Sequence, residues 1–243
     1  MRFCVVPLLT VAASALVVCM SCDRSTDGVG KEPEPKAPSE VVSFAPLYSR
    51  NCAGCHGPRG QGGVAIALAD PVFLAIADNQ AIRLTTRNGV PGTLMPAFGT
   101  SAGGFLNERQ LDVLVAGIRS WSKAADLESA ELPAYAEKNL GDAQRGAETF
   151  RVYCAACHGA DGRGGTAGSI VDPSYLSLVS NQDLRNNVIV GRPSSGAPDW
   201  RNDLPGRPMS EQEIADVVAW LAAHRPTLNN GPHYSTKESG GAE

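Results

Sequence analysis

The residues with the clearest chemistry are two Cys-x-x-Cys-His runs, Cys52-Ala53-Gly54-Cys55-His56 and Cys154-Ala155-Ala156-Cys157-His158. Two thiols so spaced can form thioethers to the vinyl groups of one porphyrin while the adjacent imidazole reaches its iron. The alternatives are a redox dithiol or zinc. Zinc asks for four ligands drawn from two such pairs, whereas here each pair has its own histidine. The spacing therefore points to two covalently bound haem c groups, with Cys52, Cys55, Cys154 and Cys157 as thioether donors and His56 and His158 as iron ligands.

Haem attachment of this kind belongs outside the cytoplasm, and the N-terminus fits that. An apolar stretch from Phe3 to about Met20 follows Arg2 and holds Pro7, Thr10 and Ser14. It is too short and interrupted for a spanning helix and reads as a secretory signal over residues 1–21. The remaining cysteines, Cys4, Cys19 and Cys22, all fall in this region, so the exported part has no spare pair for a disulfide. Cys22 follows Met20-Ser21 and resembles the lipobox cysteine of bacterial lipoproteins, although Cys19 stands where Leu or Val is favoured. Acylation of Cys22 would hold the chain at a membrane surface; plain cleavage is the alternative. The expected location is the periplasmic side of a bacterial membrane.

The chain has 243 residues, 43% of them hydrophobic and 19% charged, so it is ordinary globular material rather than low-complexity sequence. A formal net charge of −4 argues against a nucleic-acid partner, which asks for a basic face. Residues 22–40 are polar and rich in proline, the composition of a tether. Beyond them the sequence repeats at an offset of 102, which lays Cys52 to Gly57 on Cys154 to Gly159, Asp70-Pro71 on Asp172-Pro173, Arg83 on Arg185 and Pro96 on Pro198 without a gap. The expected organisation is a domain over 41–124, an acidic linker over 125–140, a second domain over 141–226 and a tail over 227–243.

Each repeat opens with a helix, over Phe44 to Asn51 and over Ala143 to Tyr153 behind the N-cap Asp142. Each also closes with one. Asn107 with Gln110, and Ser210 with Glu213, have capping-box spacing, and apolar residues follow at helical intervals from Leu111 and from Ile214.

In these residues each repeat resembles a class I cytochrome c domain. The resemblance rests on the stretch Leu47 to Gly57, the run Met95-Pro96-Ala97-Phe98-Gly99, the stretch Phe150 to Gly159, and the closing helices. It implies a mainly α fold of two tandem domains, each wrapped around one covalent haem. It also implies a crossing of the first and last helices at a glycine-aromatic pair. The second repeat supplies Gly146 and Trp220, and the first supplies Phe44 and Gly117, the reverse arrangement.

The resemblance further implies a methionine opposite the histidine. Met95 stands 39 residues after His56, but Ala197 occupies the matching place after His158. Met209 is the single methionine of the second repeat, and two readings of it stand side by side. It is either the second haem's sixth ligand or a hydrophobic staple packing before Ser210, as Leu106 does before Asn107.

Arg83 and Arg185 could each fork onto a haem propionate, or simply be solvated. The two Asp-Pro units read as turn markers. His224 reads as a solvent-facing residue at a helix C-terminus, and His233 falls in the tail. Residues 41–124 carry seven basic against four acidic side chains, and residues 141–226 eight against ten. The implied function is single-electron transfer between exported redox proteins, in the neighbourhood of a quinol-oxidising complex or a terminal oxidase. The alternatives are gas binding or sensing at the second haem, and a peroxidase, for which Asp199 and Asp203 are the available acid-base groups.

Overall fold

The computed structural model describes residues 36–121, 131–201 and 207–226. The expected signal segment, Cys22, residues 22–35 of the tether, Asp203 and the tail with His233 lie outside the described residues. The described chain is helical. The first domain contains α1 (Phe44–Asn51), α2 (Ala53–His56), α3 (Pro71–Ile76), α4 (Asn79–Asn88) and α5 (Glu108–Arg119). The second contains α6 (Ala143–Tyr153), α7 (Ala155–His158), α8 (Pro173–Ser177), α9 (Asn181–Val190) and α10 (Glu211–Ala223). Among the described residues, no helix is long and apolar enough to cross a membrane.

Helices α3, α4, α5, α6, α8, α9 and α10 begin where a side chain accepts from their free N–H groups. Both closing helices have the expected reciprocal capping boxes, Asn107 with Gln110 and Ser210 with Glu213. A further box, Ser180 with Asp183, starts α9. The Asp-Pro units are helix starts rather than plain turns. Asp70 accepts from Val72 and Phe73 N–H, and Asp172 from Tyr175 N–H, with the proline at the first helical position in each.

Each domain is held by the crossing of its first and last helices. A Cβ placed on Gly117 in α5 would overlap the Phe44 ring of α1. A Cβ on Gly146 in α6 would strike the Asp216 carbonyl oxygen and lie 2.7 Å from Trp220 Cβ in α10. The glycine-aromatic pairing is thus present in both domains, in opposite orientation. Around it, Phe44, Tyr48 and Trp121 form an edge-on aromatic cluster in the first domain, while Phe150 and Trp220 stack at 4.2 Å in the second. An arginine after each crossing clamps the preceding helical corner. Arg119 donates to the carbonyls of Leu74 and Ala77, and Arg225 to those of Leu176 and Val179.

The domains share an apolar core. Val72, Phe73 and Leu74 of α3 belong to one buried cluster with Ile189 and Val190 of α9, and α3 packs against α9. Residues 131–140, expected as a linker, are pinned to the second domain. Gln182 Nε2 donates to Tyr135 O at 2.7 Å and Arg185 Nη2 to Ala134 O at 2.8 Å. The end of the expected tether is held as well, because Gln110 Nε2 donates to Pro38 O at 2.8 Å and Val41 O at 3.0 Å.

The Asp216 carboxylate ties the second crossing together. It is 3% exposed and accepts from Asp142 N–H at 2.7 Å, Arg145 Nε at 2.8 Å and Gln212 Nε2 at 2.8 Å. Burial alone would raise its pKa, but these donors outweigh burial and hold it below the ordinary carboxylate range. Its contribution is therefore complete at neutral pH and is lost as pH falls through that depressed value. Asp216→Asn is expected to lower stability at neutral pH by about 1–3 kcal/mol and to flatten the acid limb, as read by denaturant unfolding of the haem-loaded protein over a pH series. At the crossings, Gly117→Ala is expected to cost about 1–3 kcal/mol and Gly146→Ala more, because a backbone carbonyl rather than a ring stands in the way. Adding Phe44→Leu should relieve only Gly117→Ala, measured as a double-mutant cycle.

Candidate haem-binding site

In each domain the first helix breaks at the first cysteine and restarts as a single turn. Cys52 has φ −120° and ψ −35°, and Cys154 has φ −122° and ψ −30°. That turn, with His56 N–H bound to Cys52 O at 3.0 Å, spaces the cysteines three apart and so sets both on one side of the backbone. The chain then reverses at Gly57, with φ 80°, where a Cβ would lie 2.6 Å from Gly62 O. Gly159 repeats this at φ 78°.

The reversal delivers a carbonyl to each histidine. His56 Nδ1 donates to Ile66 O at 2.8 Å, and His158 Nδ1 to Gly168 O at 2.8 Å. A carbonyl can only accept, so Nδ1 carries the proton and Nε2 keeps a lone pair for a metal. Burial is the main cause that lowers the His56 pKa, against the opposing influences of Ile66 O and Asp183, and this keeps the ring neutral. Burial and the neighbouring cysteine push the thiols of Cys52 and Cys154 up to about 11. Among the described residues, no group of three or more His, Cys, Asp or Glu side chains is placed to hold a metal ion.

A cavity of about 390 Å³ lies against the first run and brings together Cys52, Cys55, His56 and Met95. Its size is that of a cofactor cleft. Apolar side chains from α3, α4 and α5, including Phe73, Ile82, Leu114 and Ile118, line it. Thioether-forming thiols, a neutral imidazole and a soft methionine sulfur in one apolar cleft fit a covalent haem. The outer wall comes from elsewhere in the chain: Tyr135, Tyr175, Asp183, Asn187 and Arg192 also line the cavity. The repeat offset did not point to these residues, because it compares the domains and carries no information about how one packs on the other. Cys154, Cys157 and His158 lie outside this cavity.

The loops carrying Met95 and Ala197 have one backbone design. Val90 N–H binds Met95 O at 2.9 Å, and Arg192 N–H binds Ala197 O at 3.0 Å. Both loops press on the glycine ending the preceding helix. Gly89, at φ 65°, would place a Cβ 2.7 Å from Met95 O, and Gly191, at φ 67°, 2.7 Å from Ala197 O. The correspondence continues to the closing helices. Leu106 N–H donates to Phe98 O at 2.7 Å, and Met209 N–H to Trp200 O at 2.8 Å. Met209 therefore sits where Leu106 sits, 7% exposed and in the same apolar cluster as Phe150, Trp200 and Ile214.

The arginines are engaged with protein carboxylates. Arg83 pairs with Asp112 and with Glu108 at 2.6 Å, and it does not line the cavity. Arg185 is 2% exposed rather than solvated, and its Nη2 meets Glu211 at 2.5 Å while Nη1 is buried without a partner. His224 is half-buried rather than solvent-facing. It packs edge-on against Trp220 and bonds the Trp220 carbonyl at 2.8 Å. Asp199 is paired with Arg201 at 2.5 Å.

The sequence model of the family described as cytochrome C oxidase, cbb3-type, subunit III matches residues 40–116 and 141–221. The cbb3-type cytochrome c oxidase subunit CcoP of Azospirillum sp. (strain B510) is 32% identical over 164 residues, 60% of this chain and 48% of that protein. CcoP of Cereibacter sphaeroides is 32% identical over 189 residues, 73% of this chain and 58% of that protein. The cytochrome bc1 complex cytochrome c subunit of Corynebacterium diphtheriae is 28% identical over 90 residues, 37% of this chain and 30% of that protein. The chain thus spans between 30% and 58% of the length of these relatives. A chain of the Kuenenia stuttgartiensis reducing HAO-like protein complex covers 79% of this chain at 19% identity and a TM-score of 0.41. Each of the two matched segments holds one Cys-x-x-Cys-His run, and the chain binds two covalent haem c groups.

The position of Met209 sets an expectation for stability. Met209→Leu, which installs the residue of the first domain, should change it by less than about 1.5 kcal/mol. Met209→Ala should cost about 2–5 kcal/mol. Denaturant unfolding of the haem-loaded protein measures both.

Proposed function

The chain belongs to the cytochrome c oxidase, cbb3-type, subunit III family, and from that premise we propose that it is a diheme electron carrier working with exported redox partners. The observation that carries this reading is the apolar cavity in which Cys52, Cys55, His56 and Met95 meet. Haem c, when bound, supplies a one-electron iron couple. The residues do the rest. Cys52 and Cys55 hold the first haem, and Cys154 and Cys157 the second. His56 and Met95 would ligate the first iron, and Ile66 O fixes the His56 ring. The lining of Phe73, Ile82, Leu114 and Ile118 excludes water, which limits the rearrangement that accompanies a change of charge.

His158 ligates the second iron in this proposal, with its ring fixed by Gly168 O. Ala197, at the place of Met95, carries no side-chain donor. Met209 acts as the apolar staple under α10, since it takes the place of Leu106. A haem held by Cys154, Cys157 and His158 would then lack a methionine ligand, and this favours a second reading in which it would take up a small gas molecule. Its role as a peroxidase has less support, because Asp199 is neutralised by Arg201. Cys22 is the proposed lipid anchor, and the proposed partners are a quinol-oxidising complex or a terminal oxidase, a reading supported by relatives named as subunits of a cytochrome bc1 complex and of a cbb3-type cytochrome c oxidase.

Carbon monoxide tests the ligand assignment. The fully reduced protein is expected to bind one molecule per chain, rising to two in Met95→Ala, with slower electron exchange in that variant. Met209→Leu should leave the near-infrared methionine-to-iron band intact. Absence of carbon monoxide binding in the unaltered protein would show that a protein ligand closes the second iron.

A further inference from the structure

One side chain links the loop bearing Ala197 to the turn that positions His56. Arg192 opens the loop 192–197 and is bound to Ala197 in both directions, N–H to O at 3.0 Å and O from N–H at 3.2 Å. The first domain has Val90 at this place, so the backbone role is shared and the guanidinium is particular to the second domain. That guanidinium crosses to the first domain, where Nη2 donates to Gly63 O at 2.9 Å and Val64 O at 3.2 Å.

Those two carbonyls belong to the turn that positions His56. Gly63 N–H binds Ala65 O at 3.1 Å, Ala65 N–H binds Cys55 O at 3.1 Å, and the following carbonyl, Ile66 O, receives His56 Nδ1. The Val64 side chain is 78% exposed, so burial of that side chain does not anchor the turn. Arg192 also lines the cavity that holds His56. Among the described residues, no side chain of the first domain reaches the matching carbonyls of Gly165 and Thr166 near His158.

We propose that Arg192 is a positioning residue for the first haem, holding the 63–66 turn, and through Ile66 O the His56 ring, from the loop that bears Ala197. The second domain thereby sets the geometry and electrostatics of the first iron. This rests on His56 as the first iron's ligand. Outer contacts of this kind orient ligating imidazoles and tune the metal. A cation in the wall of a cleft also favours the more reduced, less positive iron.

The test uses the full haem-loaded chain. His56→Met identifies the first haem as the one whose ferric electron paramagnetic resonance signal changes. Arg192→Gln is expected to keep two haems per chain, to shift that signal, and to lower the first haem's potential while the second haem's stays constant. The electron-sharing ratio between the haems should move by up to about tenfold, or ~59 mV for one electron. Arg192→Lys should recover most of the potential, since it keeps the charge, but not the signal shift, since a compact ammonium does not reproduce the planar fork. An unchanged first-haem signal and potential in Arg192→Gln would overturn the proposal, as would an equal shift at both haems, which marks general loosening. If His56→Met alters neither signal, His56 is not a ligand and the proposal fails with that reading.

Discussion

Each domain depends on a close helix crossing that tolerates a side chain from one partner only. In the first domain α5 contributes no side chain at Gly117 and α1 contributes Phe44; in the second α6 yields at Gly146 and α10 fills the space with Trp220. Close packing requires this volume to be conserved and is indifferent to which helix supplies it. Everything chemical hangs from the crossing. The cysteine run follows directly from the end of α1, and Leu114 and Ile118, on the helix that crosses it, wall the same cavity as His56. Moving the crossing would move the thiols and the imidazole relative to the apolar wall.

On this common frame the two domains differ at several side chains. Met95 becomes Ala197, Leu106 becomes Met209, and Tyr48, whose hydroxyl donates to Gly57 O at 2.9 Å, becomes Phe150. The backbone is nearly blind to these changes, because the hydrogen bonds that shape both loops run between main-chain groups. A shared scaffold can therefore carry two irons with different surroundings. The methionine retained in the second domain sits in the staple position before Ser210, where any apolar side chain of similar volume would serve.

The first site is not built by the first domain alone. Tyr135, from a stretch whose acidic composition suggested a plain connector, and Asp183 and Arg192 from the second domain close its outer side. The same stretch explains Arg185. A residue that looked equally suited to a propionate or to solvent is buried under the carbonyls of Ala134 and Tyr135 and beside Glu211. Arg119 and Arg225 show the converse. They do the same job at the same corner, yet the offset of 102 does not align them, because the closing segments differ in length and only the acceptor carbonyls keep register.

What could be read along the chain was what local rules govern. The thiol-imidazole spacing, the capping boxes, the helical periodicity and the repeat itself depend on residues a few places apart or on direct comparison of like with like. The two haem c groups, the helix starts at Asn107, Asp142 and Ser210, and the reversed glycine-aromatic pairs were legible for that reason. The folded chain settled matters of long-range packing. It decided which side chains wall the first cleft, that Met209 lies in the core with its main chain bound to Trp200, and that Arg192 reaches the Gly63 and Val64 carbonyls. The Arg192 contact joins residues more than a hundred places apart through backbone carbonyls that every residue possesses, and so no residue type or spacing announces it.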